Sequence, residues 1–420
     1  MTREKPNQID RRDFIRSLGA AGLGSALGGL SASFAASGAG AAKTDPNTAQ
    51  QPAKPKVPQV LRRKLGRTGV KIPALSFGTF RVDVANQILL RKTLQHGVDL
   101  WDTAYNYSGG NSELGIGKFL SRNQKVRGRL FLATKASGAR SVADVEKRLR
   151  TSLERMKTDY VDLYFGLHQC SNPALLTEEL AAWARSAKKS KLIRFFGIST
   201  HQNSAQVLAA AARLNWIDAI MTPFNFRLMQ DAKLQAAVDA CHKAKIGLLA
   251  IKVQGMGQRI SSEADRKLIE HFLKRDLTEG QAKIKLVLED ERFASACVGM
   301  KNLKVFNENL EIALDKSKLP EPDKVALMEH AEATCSGYCA GCANICASAA
   351  PEAPCIGDVM RYLMYYNGYG ERAEARRLFA QIPAGIRKRL AGVDYSAAEA
   401  RCPQRMPIGD LMGEAIAKLA

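Results

Sequence analysis

The sequence predicts an α/β protein in which a (β/α)8 TIM barrel is followed by a small cysteine-rich helical domain. Between residues 60 and 315, eight apolar runs of strand length alternate with segments of helical periodicity, and this alternation fits a closed parallel barrel better than an open doubly wound sheet. No G-x-G-x-x-G motif follows the first strand, which argues against a Rossmann domain. Six of the nine cysteines lie beyond residue 330, so residues 316–420 are expected to form a separate helical segment.

Each element of the barrel follows from its own pattern. A short hairpin is expected over Leu61–Val70, and an extra helix over Ser261–Lys274 on the side of the barrel that carries the active site. The predicted strands are Pro73–Phe80, Val98–Trp101, Leu130–Lys135, Tyr160–His168, Leu192–Ile198, Ala219–Pro223, Ile246–Lys252 and Phe293–Val298. The predicted helices are Val84–His96, Ser112–Leu120, Ser141–Met156, Pro173–Lys188, Ser204–Leu214, Leu234–Ala244 and Gly280–Glu289.

Residues 1–42 predict a twin-arginine export signal. Arg11-Arg12 precedes an uncharged run rich in Ala, Gly and Leu, and Ala39-Gly40-Ala41 offers a small-residue cleavage site. The alternative is a disordered basic tail. The signal predicts a periplasmic or other extracytoplasmic location, the twin-arginine export machinery as a partner, and membrane attachment only through an uncleaved signal.

The net charge of +21 does not predict nucleic-acid binding. Residues 1–41 hold five basic and three acidic residues, so +19 remains (21 − 2) without them. This surplus is spread along amphipathic helices, and no basic motif is interleaved with aromatic residues. We interpret it as a solvated surface that also suits a phosphate-bearing cofactor. Residues 43–59, rich in Pro, Lys, Gln and Ala, predict a linker.

Four residues at neighbouring strand ends predict a catalytic site. Asp102 ends the second strand with Tyr107 five residues on, Lys135 ends the third strand, and His168 ends the fourth. A Lys that ends an apolar strand needs a partner, and Asp102 is the natural one. The cation beside Tyr107 is expected to lower the pKa of the phenol, which can then protonate a carbonyl oxygen as hydride reaches its carbon. His168 is expected to hold that oxygen.

This set resembles the Asp, Tyr, Lys and His tetrad of the aldo-keto reductase superfamily, which stands at these strand ends. Further segments resemble the family in the same order, over about residues 60–315. They are Asn111–Gly115 after the catalytic Tyr, Asp159–Tyr164 in the fourth strand, Gly197–Thr200 at the end of the fifth, and Gly299–Asn302 with Glu308-Asn309 after the eighth.

The resemblance implies that NADPH binds without a Rossmann fold. Ser199 and Thr200 stand where the family holds the nicotinamide amide, and Lys301 is the expected contact of the 2′-phosphate. The full set of expected cofactor-binding residues is Gly78, Thr79, Ser199, Thr200, Lys252, Lys301, Asn302 and Asn309. The chain departs from the family at two places: Met221 replaces a Gln that binds the nicotinamide amide, and Lys252-Val253-Gln254-Gly255 replaces the commoner Lys-Pro-Leu or aromatic version.

The tetrad and the resemblance predict an NADP-dependent aldo-keto reductase that reduces a small-molecule carbonyl or oxidises the corresponding alcohol. The alternative is a nucleotide-sensing or regulatory barrel with little turnover. A pure electron carrier would leave the tetrad unexplained.

The C-terminal cysteines predict a [4Fe–4S] cluster on Cys335, Cys339, Cys342 and Cys346, since four closely spaced thiolates are the usual ligands of such clusters. Zinc or disulfides are the alternatives. The common ferredoxin run has two residues between its first two cysteines and a Pro after the fourth; here there are three residues, and Ala347 stands in place of the Pro.

Similar cysteine spacing, followed by a helix like Asp358–Tyr366, occurs in exported aldo-keto reductases with a C-terminal ferredoxin-like segment. In this chain Cys355 is a spare ligand, Cys170 a pocket wall, and Cys241, Cys297 and Cys402 structural. The cluster is expected to support the structure or to relay electrons between a tightly held nucleotide and an unidentified redox partner protein.

Overall fold

The structure, a computed structural model, describes residues 57–257, 263–275 and 277–420. The predicted export signal and most of the predicted linker lie outside these residues. Gln59–Ala420 forms one compact unit. In the part of the chain that the structure describes, none of the helices has the length and apolar character needed to cross a bilayer.

A short antiparallel hairpin precedes the barrel, and its second strand lies just beyond the predicted range Leu61–Val70. Strands β1 (Arg62–Lys64) and β2 (Lys71–Pro73) pair with Arg62 opposite Pro73. Gly66, in the turn between them, has a φ of +49°, and a Cβ there would lie 2.4 Å from the backbone nitrogen of Gly247. Only glycine therefore lets this turn approach the start of a barrel strand so closely.

Eight parallel strands close into a barrel and confirm the predicted fold class. In the barrel β10 pairs with β3, and every other strand pairs with the next along the chain. The eight strands are β3 (Leu75–Gly78), β4 (Leu100–Asp102), β5 (Phe131–Lys135), β6 (Val161–Leu167), β7 (Ile193–Ser199), β8 (Ala219–Pro223), β9 (Gly247–Ile251) and β10 (Phe293–Gly299). Nearly all their side chains are buried, since helices cover the outside and apolar residues fill the inside.

Helices connect consecutive strands. Several begin at side-chain caps that satisfy free N–H groups of the first turn, among them Ser141, Thr177, Asp231 and Thr278, the last in a capping box with Gln281. The helices up to residue 333 are Gln87–Gln95, Asn111–Arg122, Val142–Met156, Glu178–Lys189, Ser204–Ala211, Ala232–Lys243, Glu263–Leu273, Glu279–Leu288, Leu303–Leu314 and Glu321–Ala333.

Residues 335–420, hereafter the C-terminal cap, form a second hydrophobic core. Nine of the twelve residues of its helix Ile356–Asn367 are buried, because other cap helices surround this helix and it also faces the barrel. The cap helices are Ala343–Ala349, Ile356–Asn367, Arg372–Ala380, Ala384–Arg389, Ser396–Ala400 and Ile408–Leu419. The core between them includes Val359, Leu363, Phe379, Leu390, Leu411 and Met412.

The C-terminal cap lies on the barrel face where the strands end. Gln202, in the loop after β7, donates to Asp358 at 2.9 Å. Asn225, in the loop after β8, donates to the Tyr338 hydroxyl at 3.1 Å. In addition, Arg81, in the loop after β3, forms an ion pair with a cap glutamate. Since active sites of such barrels lie at this face, the cap borders the expected site.

Candidate active site

Three of the four predicted catalytic side chains are joined by hydrogen bonds around one ammonium group. Lys135 Nζ lies 2.6 and 2.7 Å from the two carboxylate oxygens of Asp102 and 2.7 Å from the carbonyl oxygen of Thr103. The same nitrogen lies 3.3 Å from the hydroxyl oxygen of Tyr107 and 4.7 Å from the centre of its ring. Lys135 and Asp102 are 2% and 3% exposed, so the two opposite charges are buried together and neutralise each other.

The pKa of the Tyr107 phenol differs from the sequence-based prediction. Burial and the negative charge of Asp102 raise this pKa well above 10, although Lys135 lies beside the ring. The prediction of a lowered pKa was wrong because the pattern of residue types could not show how deeply the phenol is buried. A phenol that keeps its proton is suited to donate it to an oxygen atom.

Two histidine rings face each other near this network. The ring centres of His168 and His201 are 6.4 Å apart, at the ends of neighbouring strands β6 and β7. Burial, together with the positive charges of Lys135 and Arg361, lowers the pKa of both rings well below 6.5. Both imidazoles are therefore neutral at neutral pH, with one N–H available as a donor. His201 was not predicted; its one signal is its position directly after Thr200.

A buried ion pair holds the loop between Asp102 and Tyr107. Glu113 is fully buried and accepts from Thr134 at 2.7 Å and from Arg155 at 3.1 Å. Arg155 also donates to the carbonyl oxygen of Tyr105 at 2.7 Å, inside the loop. The segment that resembles the family after the catalytic Tyr thus fixes the position of the phenol.

Cys297, predicted to be structural, contacts the network directly. Its sulfur lies 3.7 Å from a carboxylate oxygen of Asp102, and its pKa is strongly raised by burial and by that carboxylate. The thiol therefore remains protonated and supplies a weak hydrogen bond to Asp102. Nothing in the sequence distinguishes this cysteine from other apolar residues of the last strand.

A cavity, hereafter the mouth cavity, opens between the barrel mouth and the C-terminal cap. Its polar lining carries two cations, Lys252 from the barrel and Arg361 from the cap. Lys252 Nζ lies 3.1 Å from the hydroxyl oxygen of Tyr365, and Arg361 lies 2.9 Å from Asp358. Burial raises the pKa of Tyr365, but Lys252 and Arg361 outweigh it and the pKa is lowered.

Four expected cofactor-binding residues lie at strand ends close to the tetrad. The hydroxyl of Thr79 donates to the carbonyl oxygen of Asp102 at 2.9 Å, and that of Ser199 accepts from the backbone of Gln169 at 3.1 Å. Thr200 bonds to neighbouring hydroxyl groups. Gly78 packs against the backbone of Val298, 3.3 Å from where a Cβ would stand. These groups are largely engaged within the protein, and Ser199 keeps its own O–H to donate.

The other expected cofactor-binding residues lie apart from this group. Asn302 caps the helix Leu303–Leu314 by accepting from Val305 at 3.0 Å, and Lys301 beside it is exposed. Asn309, about two turns further along the same helix, is 4% exposed, and its side-chain nitrogen has no hydrogen-bond partner. This buried donor suits a polar ligand group. Met221 is buried in the barrel core and offers no replacement for an amide contact.

The predicted cluster cysteines do not all come together. Cys339, Cys342 and Cys346 line a second, largely apolar cavity, hereafter the thiol cavity, and its fourth thiol is that of Cys402. Cys335 is not among the lining residues, and its sulfur accepts from Arg405 at 3.3 Å. Burial raises the pKa of Cys339 to about 12 and that of Cys342 to about 11, with further contributions from the nearby Cys346 and Cys402.

All nine cysteines lie in the described part of the chain, and the structure forms no disulfide among them. Across the described residues, no three His, Cys, Asp or Glu side chains form a group that could hold a metal ion. Cys355, the predicted spare ligand, is buried in the cap core and does not line the thiol cavity.

The sequence and structure are similar to those of known proteins. Aldo-keto reductase yakc [NADP(+)] of Schizosaccharomyces pombe is 27% identical over 215 residues, which are 46% of this chain and 61% of that protein. The chain therefore spans about 61% of the length of this relative.

Two solved structures are similar in fold. Aldo-keto reductase AKR11C1 from Bacillus halodurans, in its holo form, has a TM-score of 0.54 and 20% identity, over 65% of this chain and 96% of that one. The thermostable aldo-keto reductase Tm1743, crystallised with the inhibitor epalrestat, has a TM-score of 0.53 and 26% identity, over 64% of this chain and 99% of that one.

The family assignment rests on the barrel. A model of the aldo/keto reductase family matches residues 74–326, which is more than half of the chain and includes all eight barrel strands. This range also contains the Asp102, Tyr107, Lys135 and His168 side chains described above. The chain belongs to the aldo/keto reductase family.

Proposed function

We propose that the protein is an NADPH-dependent oxidoreductase that reduces a carbonyl compound, or oxidises the alcohol, with Tyr107 as the proton donor. The observation that carries the proposal is the ammonium group of Lys135, which contacts both the Asp102 carboxylate and the Tyr107 hydroxyl at the mouth of the barrel. The S. pombe relative is named as an NADP(+) enzyme, which supports this choice of cofactor.

The chain's own groups supply positioning and proton transfer. When bound, NADPH supplies the hydride to the carbonyl carbon. Tyr107 donates its proton to the carbonyl oxygen, and Lys135 hydrogen-bonds the phenolic oxygen as negative charge develops there. His168, neutral because its pKa is lowered, donates a hydrogen bond that orients the substrate oxygen.

The residues present fit the cofactor. The unpartnered side-chain nitrogen of Asn309 and the exposed ammonium of Lys301 lie where the family resemblance expects the adenosine phosphate. Ser199 and Thr200 would hold the nicotinamide amide without the help of a Gln, because Met221 is apolar and buried. We expect weaker orientation of this amide than in relatives that have the Gln.

We also propose a [4Fe–4S] cluster in the C-terminal cap and export by the twin-arginine route. The thiol cavity supports the cluster, and Arg11-Arg12 with the uncharged run after it supports export. This route carries folded proteins, so a cluster can be inserted before export. The cluster would either support the structure of the protein or relay electrons to a redox partner protein.

The test compares Tyr107→Phe with the wild-type protein. NADPH oxidation is followed by absorbance with a panel of aliphatic aldehydes, aromatic aldehydes and 2-oxo acids, and NADPH binding by nicotinamide fluorescence. We expect turnover to fall by about 10²–10⁴-fold with NADPH binding retained. The matched control Tyr160→Phe, at the opposite end of β6, should leave both unchanged.

Two results would contradict the proposal. Absence of NADPH binding by the wild-type protein at millimolar concentration removes the cofactor assignment. Binding without turnover of any substrate in the panel, unchanged by Tyr107→Phe, favours a nucleotide-sensing barrel instead.

A further inference from the structure

The thiol cavity brings together cysteines that are far apart in the sequence. Cys339, Cys342 and Cys346 come from the loop before the helix Ala343–Ala349 and from its first turn, whereas Cys402 lies between the helices Ser396–Ala400 and Ile408–Leu419. The rest of the lining is largely apolar and includes Ile345, Ile356, Met360, Met406 and Ile408. A dry pocket with four thiols is the type of environment in which iron–sulfur clusters are held.

We propose that Cys339, Cys342, Cys346 and Cys402 are the four ligands of the [4Fe–4S] cluster, and that Cys335 is not a ligand. The inference rests on the cluster part of the proposed function and assigns its ligand set. It replaces one member of the set predicted from sequence spacing by a cysteine 56 residues beyond Cys346.

This ligand set matches the common ferredoxin run at its first spacing and at the Pro after its fourth cysteine, but it departs from the run in having three residues between Cys342 and Cys346 and a distant fourth cysteine. Cys339 and Cys342 are separated by two residues, which is the usual spacing of the first two ligands. Cys402 is followed by Pro403, and Pro is the residue that usually follows the fourth ligand. Cys335 neither fits this spacing nor lines the cavity, since its sulfur accepts from Arg405 outside it.

The geometry of a cluster also differs from that of a single metal ion. Four thiolates on one zinc ion lie about 2.3 Å from a common point. In a [4Fe–4S] cluster each cysteine binds a different iron, so the four sulfurs surround a larger volume. Four thiols line one cavity, and among the described residues no three of them form a site for a single metal ion, which fits the wider arrangement of a cluster better than zinc.

The backbone around Cys339 supports this ligand arrangement. Gly341 adopts a φ of +80°, which an L side chain rarely adopts, and its N–H donates to the sulfur of Cys339. Hydrogen bonds from backbone N–H groups to ligand sulfurs are a usual means of stabilising thiolates and tuning clusters. The carbonyl oxygen of Gly341 accepts from Asn203 at 2.7 Å, so the barrel holds this turn in place.

The experiment compares full-length Cys402→Ala, Cys335→Ala and Cys355→Ala with the wild type, each purified under anaerobic conditions from cells that assemble clusters. Iron and acid-labile sulfide are measured per chain, and the dithionite-reduced proteins are examined by electron paramagnetic resonance. We expect about four iron and four sulfide per chain in the wild type, Cys335→Ala and Cys355→Ala. Cys402→Ala should lose at least three quarters of both and the wild-type signal.

Because Cys402→Ala could misfold, circular dichroism and NADPH binding accompany each preparation, and Cys402→Ser provides a second variant. Serine can keep an oxygen ligand at that position, so a folded Cys402→Ser protein should show altered resonance g-values with a partial cluster. If Cys335→Ala loses the cluster while Cys402→Ala and Cys402→Ser keep the wild-type signal, the ligand assignment is wrong. If the wild type holds zinc or no metal, the cluster part of the proposed function fails, whereas the reductase part stands on the Tyr107→Phe result.

Discussion

The two cavities of this protein differ in how they hold reactive groups in place. At the barrel mouth, Lys135 and Asp102 stand at strand ends and already neutralise each other, and the mouth cavity adds Lys252 from the barrel and Arg361 from the cap. In the thiol cavity, the cysteines lie on loops and helix ends, and burial keeps thiols such as that of Cys339 protonated. The first site is therefore organised by contacts within the protein, whereas the second would become organised only on binding the proposed cluster.

The largest effect is expected from breaking the buried ion pair of the tetrad. In Lys135→Met the carboxylate of Asp102 would remain buried without its cation, which destabilises proteins by about 3–5 kcal/mol. Urea unfolding followed by circular dichroism measures this loss. The control Lys301→Met, which removes an exposed cation, should change the free energy of unfolding by less than about 0.5 kcal/mol. Equal effects of the two variants would show that Lys135 does not stabilise the buried Asp102 carboxylate.

A smaller effect is expected where the two cavities meet. A Cβ on Gly341 would lie 2.5 Å from the carbonyl oxygen of His201, in a backbone conformation unfavourable for alanine. Gly341→Ala should therefore lower the free energy of unfolding by about 1–3 kcal/mol and reduce the iron content. Gly413→Ala, in a helix with open space around it, should be neutral or stabilising by up to about 1 kcal/mol. If Gly341→Ala changes neither the free energy of unfolding nor the iron content, the close packing of this turn against the barrel is not important.

The histidines of the mouth should make stability depend on pH. The pKa values of His168 and His201 are lowered below 6.5, so the unfolded chain binds protons first as the pH falls. The contribution of these neutral rings to the free energy of unfolding should therefore be complete above pH 6.5. Below pH 6.5 the free energy of unfolding should decrease, by at most about 1.4 kcal/mol per pH unit for each ring. The double variant His168→Gln/His201→Gln should lose most of this dependence and keep the part due to His330, whose pKa burial also lowers. His242→Gln, at an exposed position, should retain it.

The smallest effect concerns the cation that the C-terminal cap contributes. Arg361→Met removes a positive charge that lowers the pKa of His168 and His201, so both values should move up toward 6.5. NMR titration of the histidine ring protons measures the change. Arg361→Lys keeps the charge and should leave the values closer to those of the wild type. A downward change in Arg361→Met would contradict the electrostatic assignment.

The sequence was sufficient for the barrel and for the neighbourhood of Asp102, Tyr107 and Lys135 because these signals are local, whereas the catalytic roles stay a prediction. Each barrel strand is an apolar run, and each of Asp102, Lys135 and His168 comes at or directly after a strand end, where barrel topology brings them together. The division into a barrel over residues 60–315 and a segment over 316–420 stays a prediction, as do the signal and the linker.

Residues that come from distant segments could not be predicted in the same way. Arg361 lines the mouth cavity and Tyr365 contacts Lys252 only because the C-terminal cap packs on the barrel, which no spacing rule predicts. Cys402 is missed for the same reason, since spacing favoured the nearer Cys335. The pKa of Tyr107 could not be predicted either, because its direction depends on the balance between burial and two opposite charges.

The position of the C-terminal cap has a consequence for the order in which the molecule folds. The Lys135–Asp102 contact closes a loop of 33 residues, whereas the Lys252–Tyr365 contact spans 113 and the contact of Arg81 with the cap carbonyl of Tyr369 spans 288. Contacts between distant segments form late, because closing a longer loop costs more chain entropy before the contact energy is gained. In refolding, the Lys135–Asp102 ion pair should therefore form before the mouth cavity exists, and the proposed activity should return more slowly than barrel secondary structure.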